Sequence, residues 1–256
     1  MRILVLDEEF PWPLNTGKRI RSYHLITRLA RQHKVHYLAY GEESDEAFGH
    51  FASHRLNPIA VRPHVPAKEG LSFYGRLLLN LFSRYPYIVQ SHYSASFVNA
   101  FKCAIQATRP DIILCEWTPY AIFARGITSI PVVVSAHNIE TRIWDRYLEA
   151  EVNPLRRWYV GRQNPKVRRF EKETFGLVKG VIAVSHTEAD EIRGISAKCR
   201  VEIVDNGVDL TYFNSTQTMS QSNSAVFTGS MDWRPNQDAA IFFCKDILPL
   251  VQRKVP

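Results

Sequence analysis

The sequence predicts an α/β protein: a doubly wound parallel sheet of the Rossmann-like kind, followed by the first strand and helix of a second such domain. Three observations carry this reading. Short, continuous apolar runs recur along the chain, beginning with Ile3-Leu4-Val5-Leu6, as expected of parallel strands covered on both faces. Segments with helical apolar spacing alternate with those runs. A polar stretch from Ser215 to Ser224, without Pro or Gly, then separates this alternation from a fresh apolar run at Ala225 to Thr228. The expected division is residues 1–210 for the first domain, 211–224 for a linker and 225–256 for the opening of the second.

Arg2 to Leu6 is the first strand, and the loop after it, Asp7 to Gly17, is barred from helix by Pro11 and Pro13. From Lys18 the spacing of Ile20, Tyr23, Ile26, Leu29 and Ala30 is helical. Val35 to Tyr40 reads as a strand, Asp45 to Arg55 as a short helix, and Ile59 to Val61 as a third strand. Leu71 to Phe82 and Ala95 to Ala107 read as helices, the latter ending before Arg109-Pro110. Strands at Asp111 to Cys115 and Ile130 to Ser135 flank a short helix from Pro119 to Arg125. Ile139 to Val178 reads as a long helical stretch with breaks near Pro154 and Pro165. Val181 to Val184 and Val201 to Val204 complete the strand set, with a helix from about Thr187 between them. Asn206-Gly207 suits the positive φ values of a tight turn. Asn236 to Leu248 reads as the helix that covers Ala225 to Thr228.

Composition narrows the class. Apolar residues at 45% and charged residues at 22% are ordinary for a soluble globular protein. A core of this size needs no covalent staples. The four cysteines, Cys103, Cys115, Cys199 and Cys244, are widely spaced, which disfavours a zinc site or disulfide framework and suits a reducing cytoplasm. The opening residues already read as strand, so no signal peptide is expected, and no apolar run approaches the ~20 residues that span a bilayer. A net charge of +7 with a pI near 9.3 favours anionic partners.

In doubly wound sheets ligands bind at the carboxyl ends of strands, so the residues just after each strand are the candidates. After the first strand, Gly17-Lys18-Arg19-Ile20-Arg21 opens a helix whose macrodipole and three cations suit a phosphate, or form a solvated, capped helix end. After Cys115, Glu116-Trp117 suits either sugar stacking or a solvated rim. After Ser135 comes Ala136-His137-Asn138, where a strand-end position raises the functional weight of a histidine tunable near neutral pH. Ser185 or Thr187 reads as a helix N-cap. The stretch Arg156 to Lys172 holds seven Lys/Arg against one acid, Glu171, beside Trp158 and Tyr159. It is either a solvated face or a contact with anionic membrane, to which Leu71 to Tyr87 would add amphipathic anchoring. No recognition motif for nucleic acid accompanies the charge.

The segment Asn206-Gly207-Val208-Asp209…Phe213, followed by Phe227-Thr228-Gly229-Ser230-Met231-Asp232-Trp233 and Pro235-Asn236, resembles the GT-B glycosyltransferases of the retaining, family-four type. Within these it is most similar to bacterial sugar transferases of exopolysaccharide and surface-glycan clusters. The resemblance implies two Rossmann-like domains across a cleft, and transfer of a sugar from a nucleotide-sugar to a glycan or lipid-linked acceptor with retained configuration. No residue cluster in the sequence requires a metal, and no cofactor is expected besides the nucleotide-sugar donor substrate. A Gly-x-Lys-Ile-Arg-Ser-x-His pattern of the family is similar to Gly17 through His24, which would place Gly17, Lys18 and Arg21 beneath the donor diphosphate. Many relatives carry two glycines there, where this chain has Gly17 alone. Glu116 would face the acceptor. His137, next to Asn138, would lie beside the reacting sugar and hydrogen-bond it without being the nucleophile. Gly229 and Ser230 would bind donor from the second domain. The family's donor-binding basic pair and Glu-x7-Glu motif are not found in this sequence. The chain therefore reads as truncated, with no sugar transfer expected from it alone. A nucleotide-sugar epimerase of the same fold, or a non-catalytic fragment that binds acceptor, are the alternatives. The expected location is the cytoplasm, with peripheral contact at the inner face of the plasma membrane.

Overall fold

The computed structural model describes residues 1–62, 69–210, 213, 224–229, 231 and 234–254. Two compact units are present, Met1–Gly207 and Val208–Pro256.

The first unit is built on seven parallel strands: β1 (Arg2–Leu6), β2 (Lys34–Tyr40), β3 (Asn57–Val61), β4 (Ile112–Cys115), β5 (Val132–Ala136), β6 (Gly180–Ala183) and β7 (Val201–Ile203). Their order across the sheet is β3-β2-β1-β4-β5-β6-β7. The order reverses at β1, which pairs with β2 through Ile3↔Val35 and with β4 through Ile3↔Ile112. The helices are α1 (Gly17–Leu29), α2 (Glu46–Ser53), α3 (Gly70–Asn80), α4 (Tyr87–Gln90), α5 (Ala95–Thr108), α6 (Glu140–Ala150), α7 (Pro154–Leu177) and α8 (His186–Ile195).

The period-2 alternation of each strand divides the core in two. Ile3, Val5, Val35, Tyr37 and Ala39 point to one side and pack with Ile26 of α1 and Phe51 of α2. Leu4, Leu6, Leu38, Ile113 and Val134 point to the other, with Phe97 and Phe101 of α5, Phe175 of α7 and Ile192 of α8. Both faces are thus covered, which is why the strands read as unbroken apolar runs.

Four expectations are corrected. Pro119 to Arg125 is a single 3₁₀ turn, Thr118–Ile122. Pro165 does not interrupt α7, which runs unbroken from Pro154 to Leu177. A proline ring collides with the carbonyl of the residue four before it, here Gly161, and the turns on either side of Pro165 are held by buried Gln163, Asn164, Val167 and Phe170. Gly207 does not take positive φ; the glycines that do are Gly41, Gly70 and Gly126, of which Gly70 and Gly126 open α3 and the turn before β5. Asn206 is instead drawn toward α1 by a hydrogen bond from Arg21. Finally, residues 225–228 form no strand. A strand needs a neighbour to satisfy its backbone groups, and no other described segment of the second unit is a strand.

In that unit the helix begins earlier than expected, as α9 (Arg234–Phe242), passes through a π turn at Phe243–Ile247, and continues as α10 (Leu248–Lys254). Most of the expected linker, including 214–223, lies outside the described residues, as do Ser230 and Trp233.

Candidate functional site

The reversal of strand order at β1 and β4 is where a doubly wound sheet opens a crevice at its carboxyl edge. The first residues past those two strands are both buried acids, Asp7 and Glu116. Their backbones continue the ladder, Asp7 N donating to the Leu38 carbonyl at 3.0 Å and Glu116 N to that of Leu6 at 2.9 Å.

Glu116 is the hub of one cluster. Its Oε2 accepts from Ser22 Oγ of α1 at 2.8 Å and lies 3.0 Å from His137 Nε2, just past β5. Three consecutive elements of the edge therefore meet at one carboxylate oxygen. The side chains of His137 and Glu116 are 8% and 4% exposed, so the pair is almost enclosed, while Asn138 beside it stands exposed at the rim. Burial works to raise the Glu116 carboxyl, but the hydrogen bond and charge of His137, then the hydrogen bond from Ser22 and the charge of Lys18, outweigh it and hold the group below its usual range. A carboxylate accepts only, so Nε2 carries the proton of this bond and the Nδ1 of a neutral ring is left as an acceptor.

The second cluster sits on Asp7. Lys18 Nζ donates to Asp7 Oδ1 at 2.6 Å and Glu8 Oε1 at 2.7 Å, and Tyr37 donates its hydroxyl to Asp7 Oδ2 at 2.5 Å. Complete burial pushes the Asp7 carboxyl up to about 6 against the pull of Lys18. The Lys18 ammonium, opposed by burial, is held above its usual range by the two acids, so the pair is ionised at neutral pH. Lys18 also lies 5.7 Å from the centroid of Trp117, whose Nε1 donates to Glu140 Oε1 at 2.6 Å.

Behind the loop after β5 is Glu171, fully buried in the last third of α7. It accepts from Glu140 N at 2.7 Å, from Thr141 N at 2.9 Å and from the Thr141 hydroxyl. A carboxylate here fills the role of an N-cap for α6, satisfying donors that a helix start leaves open and meeting its positive dipole end. It thereby fixes the loop that carries His137 and Asn138.

The three expected phosphate-facing cations are already engaged. Lys18 is held by Asp7 and Glu8, and Arg19 by Glu9. Arg21 donates to Asn206 Oδ1 at 2.8 Å and the Val204 carbonyl at 2.6 Å. Gly17 is the first residue of α1, capped by Thr16, and a Cβ there would meet nothing within 4 Å, so packing does not require glycine. In the second unit a Cβ at Gly229 would fall 2.9 Å from Asn236 Nδ2, so a larger residue there would displace the Asn236 side chain. Ser185 is the N-cap of α8, accepting from Glu188 N at 3.2 Å.

Sequence reasoning missed Asp7, Ser22, Tyr37 and the role of Glu171. Asp7 had a local signal, since it is the first residue after the first strand, and Ser22 stands at the serine of the Gly-x-Lys-Ile-Arg-Ser-x-His pattern.

Glu140 gives a testable pH dependence. Burial, against the hydrogen bond from Trp117, lifts its carboxyl from the usual 4.5 to about 7. The folded protein therefore keeps a proton that the unfolded chain releases. This contribution to stability is complete below pH 4.5 and is lost as pH rises through 7. At ~1.4 kcal/mol per unit the upper bound is about 3 kcal/mol. Glu140→Gln, which still accepts from Trp117, should stabilise the protein against urea at about pH 8 and leave it unchanged at about pH 4.5. An equal gain at both pH values would contradict this origin.

No curated protein matches the sequence. Among solved structures, a sucrose-phosphate synthase from Thermosynechococcus elongatus is similar with a TM-score of 0.58 at 13% identity, over 83% of this chain and 50% of that one. Anabaena HepE, solved in complex with UDP and glucose, is similar with a TM-score of 0.51 at 14% identity, over 85% of this chain and 47% of that one. The chain thus spans about half the length of either structure, and shares its fold. Residues 93–212, which carry Glu116, His137, Glu140 and Glu171, match the family model of Glycosyltransferase Family 4.

Proposed function

We propose that this chain forms the acceptor-side half of a GT-B glycosyltransferase, which moves a sugar from a nucleotide-sugar to a glycan or lipid-linked acceptor with retained configuration. The observation that carries this reading is the convergence of Ser22, Glu116 and His137 at the carboxyl edge of β4 and β5, within the stretch that matches Glycosyltransferase Family 4. HepE, of the same fold, is solved with UDP and glucose, which favours a UDP-sugar as donor. The role in surface polysaccharide assembly follows from the likeness of residues 206–236 to such transferases.

In the reaction the bond from the anomeric carbon to the diphosphate oxygen breaks and a bond to the acceptor oxygen forms. The nucleoside diphosphate departs and takes up the proton that the acceptor hydroxyl loses. His137, oriented by Glu116, offers Nδ1 to a sugar hydroxyl at the rim marked by Asn138. Lys18 and Arg21 set the positive side of the same edge, with Asp7 and Glu8 moderating it, so electrostatic help for a departing diphosphate comes mainly from groups other than these.

Product analysis tests the reading. A labelled UDP-sugar incubated with glycan or lipid-linked acceptors and with this half joined to a donor-binding GT-B half should place label on acceptor, with one nucleoside diphosphate released per transfer, and this half alone should place none. An epimerised nucleotide-sugar without acceptor would make the protein an epimerase, and acceptor binding with no chemical change would make it a binding fragment.

A further inference from the structure

The helix α3 turns its apolar side outward. Leu71, Tyr74 and Leu78 follow one another at intervals of three and four, with Leu79 alongside and Phe82 in the turn just past the helix, and Leu71, Leu79 and Phe82 are 90%, 71% and 87% exposed. Such spacing on a water-soluble helix ordinarily marks the buried stripe. Here the side that faces the protein is occupied by the buried Asn80, which donates to the Tyr85 carbonyl at 3.1 Å and accepts from Gln163 Nε2 of α7 at 2.8 Å. The C-terminal end of the helix is thus anchored to α7 through Asn80, with the apolar stripe left outward.

The stripe has a cationic border. The segment from α3 onward runs alongside α7 in the same direction: Lys166 Nζ donates to the carbonyls of Asn80 at 2.6 Å and Leu81 at 3.1 Å, and Arg169 Nη2 to that of Arg84 at 2.5 Å. The exposed side of α7 carries Trp158, Arg162, Arg169 and Lys172, again at helical intervals. Among the described residues Arg162, Arg169 and Lys172 form no ion pair, whereas Arg168 is committed to Asp145 and Arg84 to Glu173. Trp158 is half exposed with the Arg162 guanidinium 5.6 Å from its ring centroid.

We infer that α3 and the adjoining side of α7 dock on an anionic lipid surface, with the α3 stripe entering the interfacial region and Arg162, Arg169 and Lys172 meeting lipid phosphates. Apolar side chains on one helix flanked by cations and an interfacial tryptophan are the composition of a peripheral membrane contact. Charge decides the occupant. A second copy of this chain, at +7, would bring like charge against the cationic border, while an anionic bilayer complements both the border and the net charge. No described helix is long and apolar enough to cross a membrane, so the contact is one of surface docking. This inference does not rest on the transfer reaction.

Co-sedimentation of the purified protein with phosphatidylcholine vesicles, with and without phosphatidylglycerol, tests it. The wild type should bind the anionic vesicles at least about 10-fold better than the neutral ones. The triple variant Arg162→Glu, Arg169→Glu, Lys172→Glu should weaken anionic binding on the order of 100-fold. The pair Leu78→Asp, Phe82→Asp should weaken it about 10-fold or more. All five positions are exposed, so an unchanged Tm serves as the folding control. Brominated lipid should quench Trp158 fluorescence in the wild type and in neither variant. No binding by the wild type, or equal binding by both variants, would overturn the inference. So would an apolar variant that converts a solution dimer to monomer without any vesicle binding, which would give the stripe to a second copy.

Discussion

In a protein that joins this half to a donor-binding half, replacing His137 is expected to lower kcat for sugar transfer by about 10²-fold or more, the usual loss for one positioned catalytic group. The choice of replacement matters, because the ring also supports a buried acid. His137→Ala would leave Glu116 with Ser22 as its remaining side-chain donor. Removing one donor from a buried carboxylate costs about 1–3 kcal/mol, so the alanine variant should lose stability as well as rate. His137→Gln can still donate to Glu116 and should recover much of that stability while remaining slow. A glutamine variant with near-normal kcat and normal Tm would reduce His137 to a prop for Glu116.

Glu171→Ala should be the most destabilising single change near the site. It removes the acceptor for two backbone donors and one hydroxyl at the start of α6 and opens a small void in a fully buried position. Unsatisfied buried donors and a lost cap together are worth about 3 kcal/mol, or roughly 6–12 °C in Tm for a protein of this size. Glu171→Gln keeps one acceptor oxygen and should fall between. Kinetics add a second readout: the first turn of α6 follows His137 and Asn138 directly, so kcat should fall in the alanine variant even well below its Tm. A thermal melt of Glu171→Ala that overlays the wild type would show that α6 is capped by something else.

The fold was legible because its signals are local. Runs such as Ile3-Leu4-Val5-Leu6 and Val132-Val133-Val134 announce strands buried on both faces, and Ser185 announces a helix start as an N-cap. His137 and Glu116 could be singled out because each directly follows a strand. Their meeting could not, since the order that sets β4 beside β5 and β1 is a property of the whole sheet. The other members of the site were hidden for the same reason. Ser22 reaches Glu116 across 94 residues, Tyr37 reaches Asp7 across 30, and Glu171 reaches Glu140 across 31. In sequence Glu171 is only the lone acid of a basic run. Pro165 misled in the opposite direction, since a local rule for breaking helices was overridden by tertiary contacts on both sides of it. Lys18 and Arg19 looked like phosphate ligands because their partners Asp7, Glu8 and Glu9 lie across a loop whose course the sequence does not reveal.

The most direct test of the proposed sugar site is the imidazole NMR spectrum of His137, recorded as a UDP-sugar and an acceptor are added together. The expected result is a saturable shift of the His137 Nδ1 resonance, with Nε2 remaining protonated against Glu116, and the loss of that shift in Glu116→Gln. Transfer that proceeds while the His137 resonances stay unmoved would contradict a sugar site at this edge of the sheet.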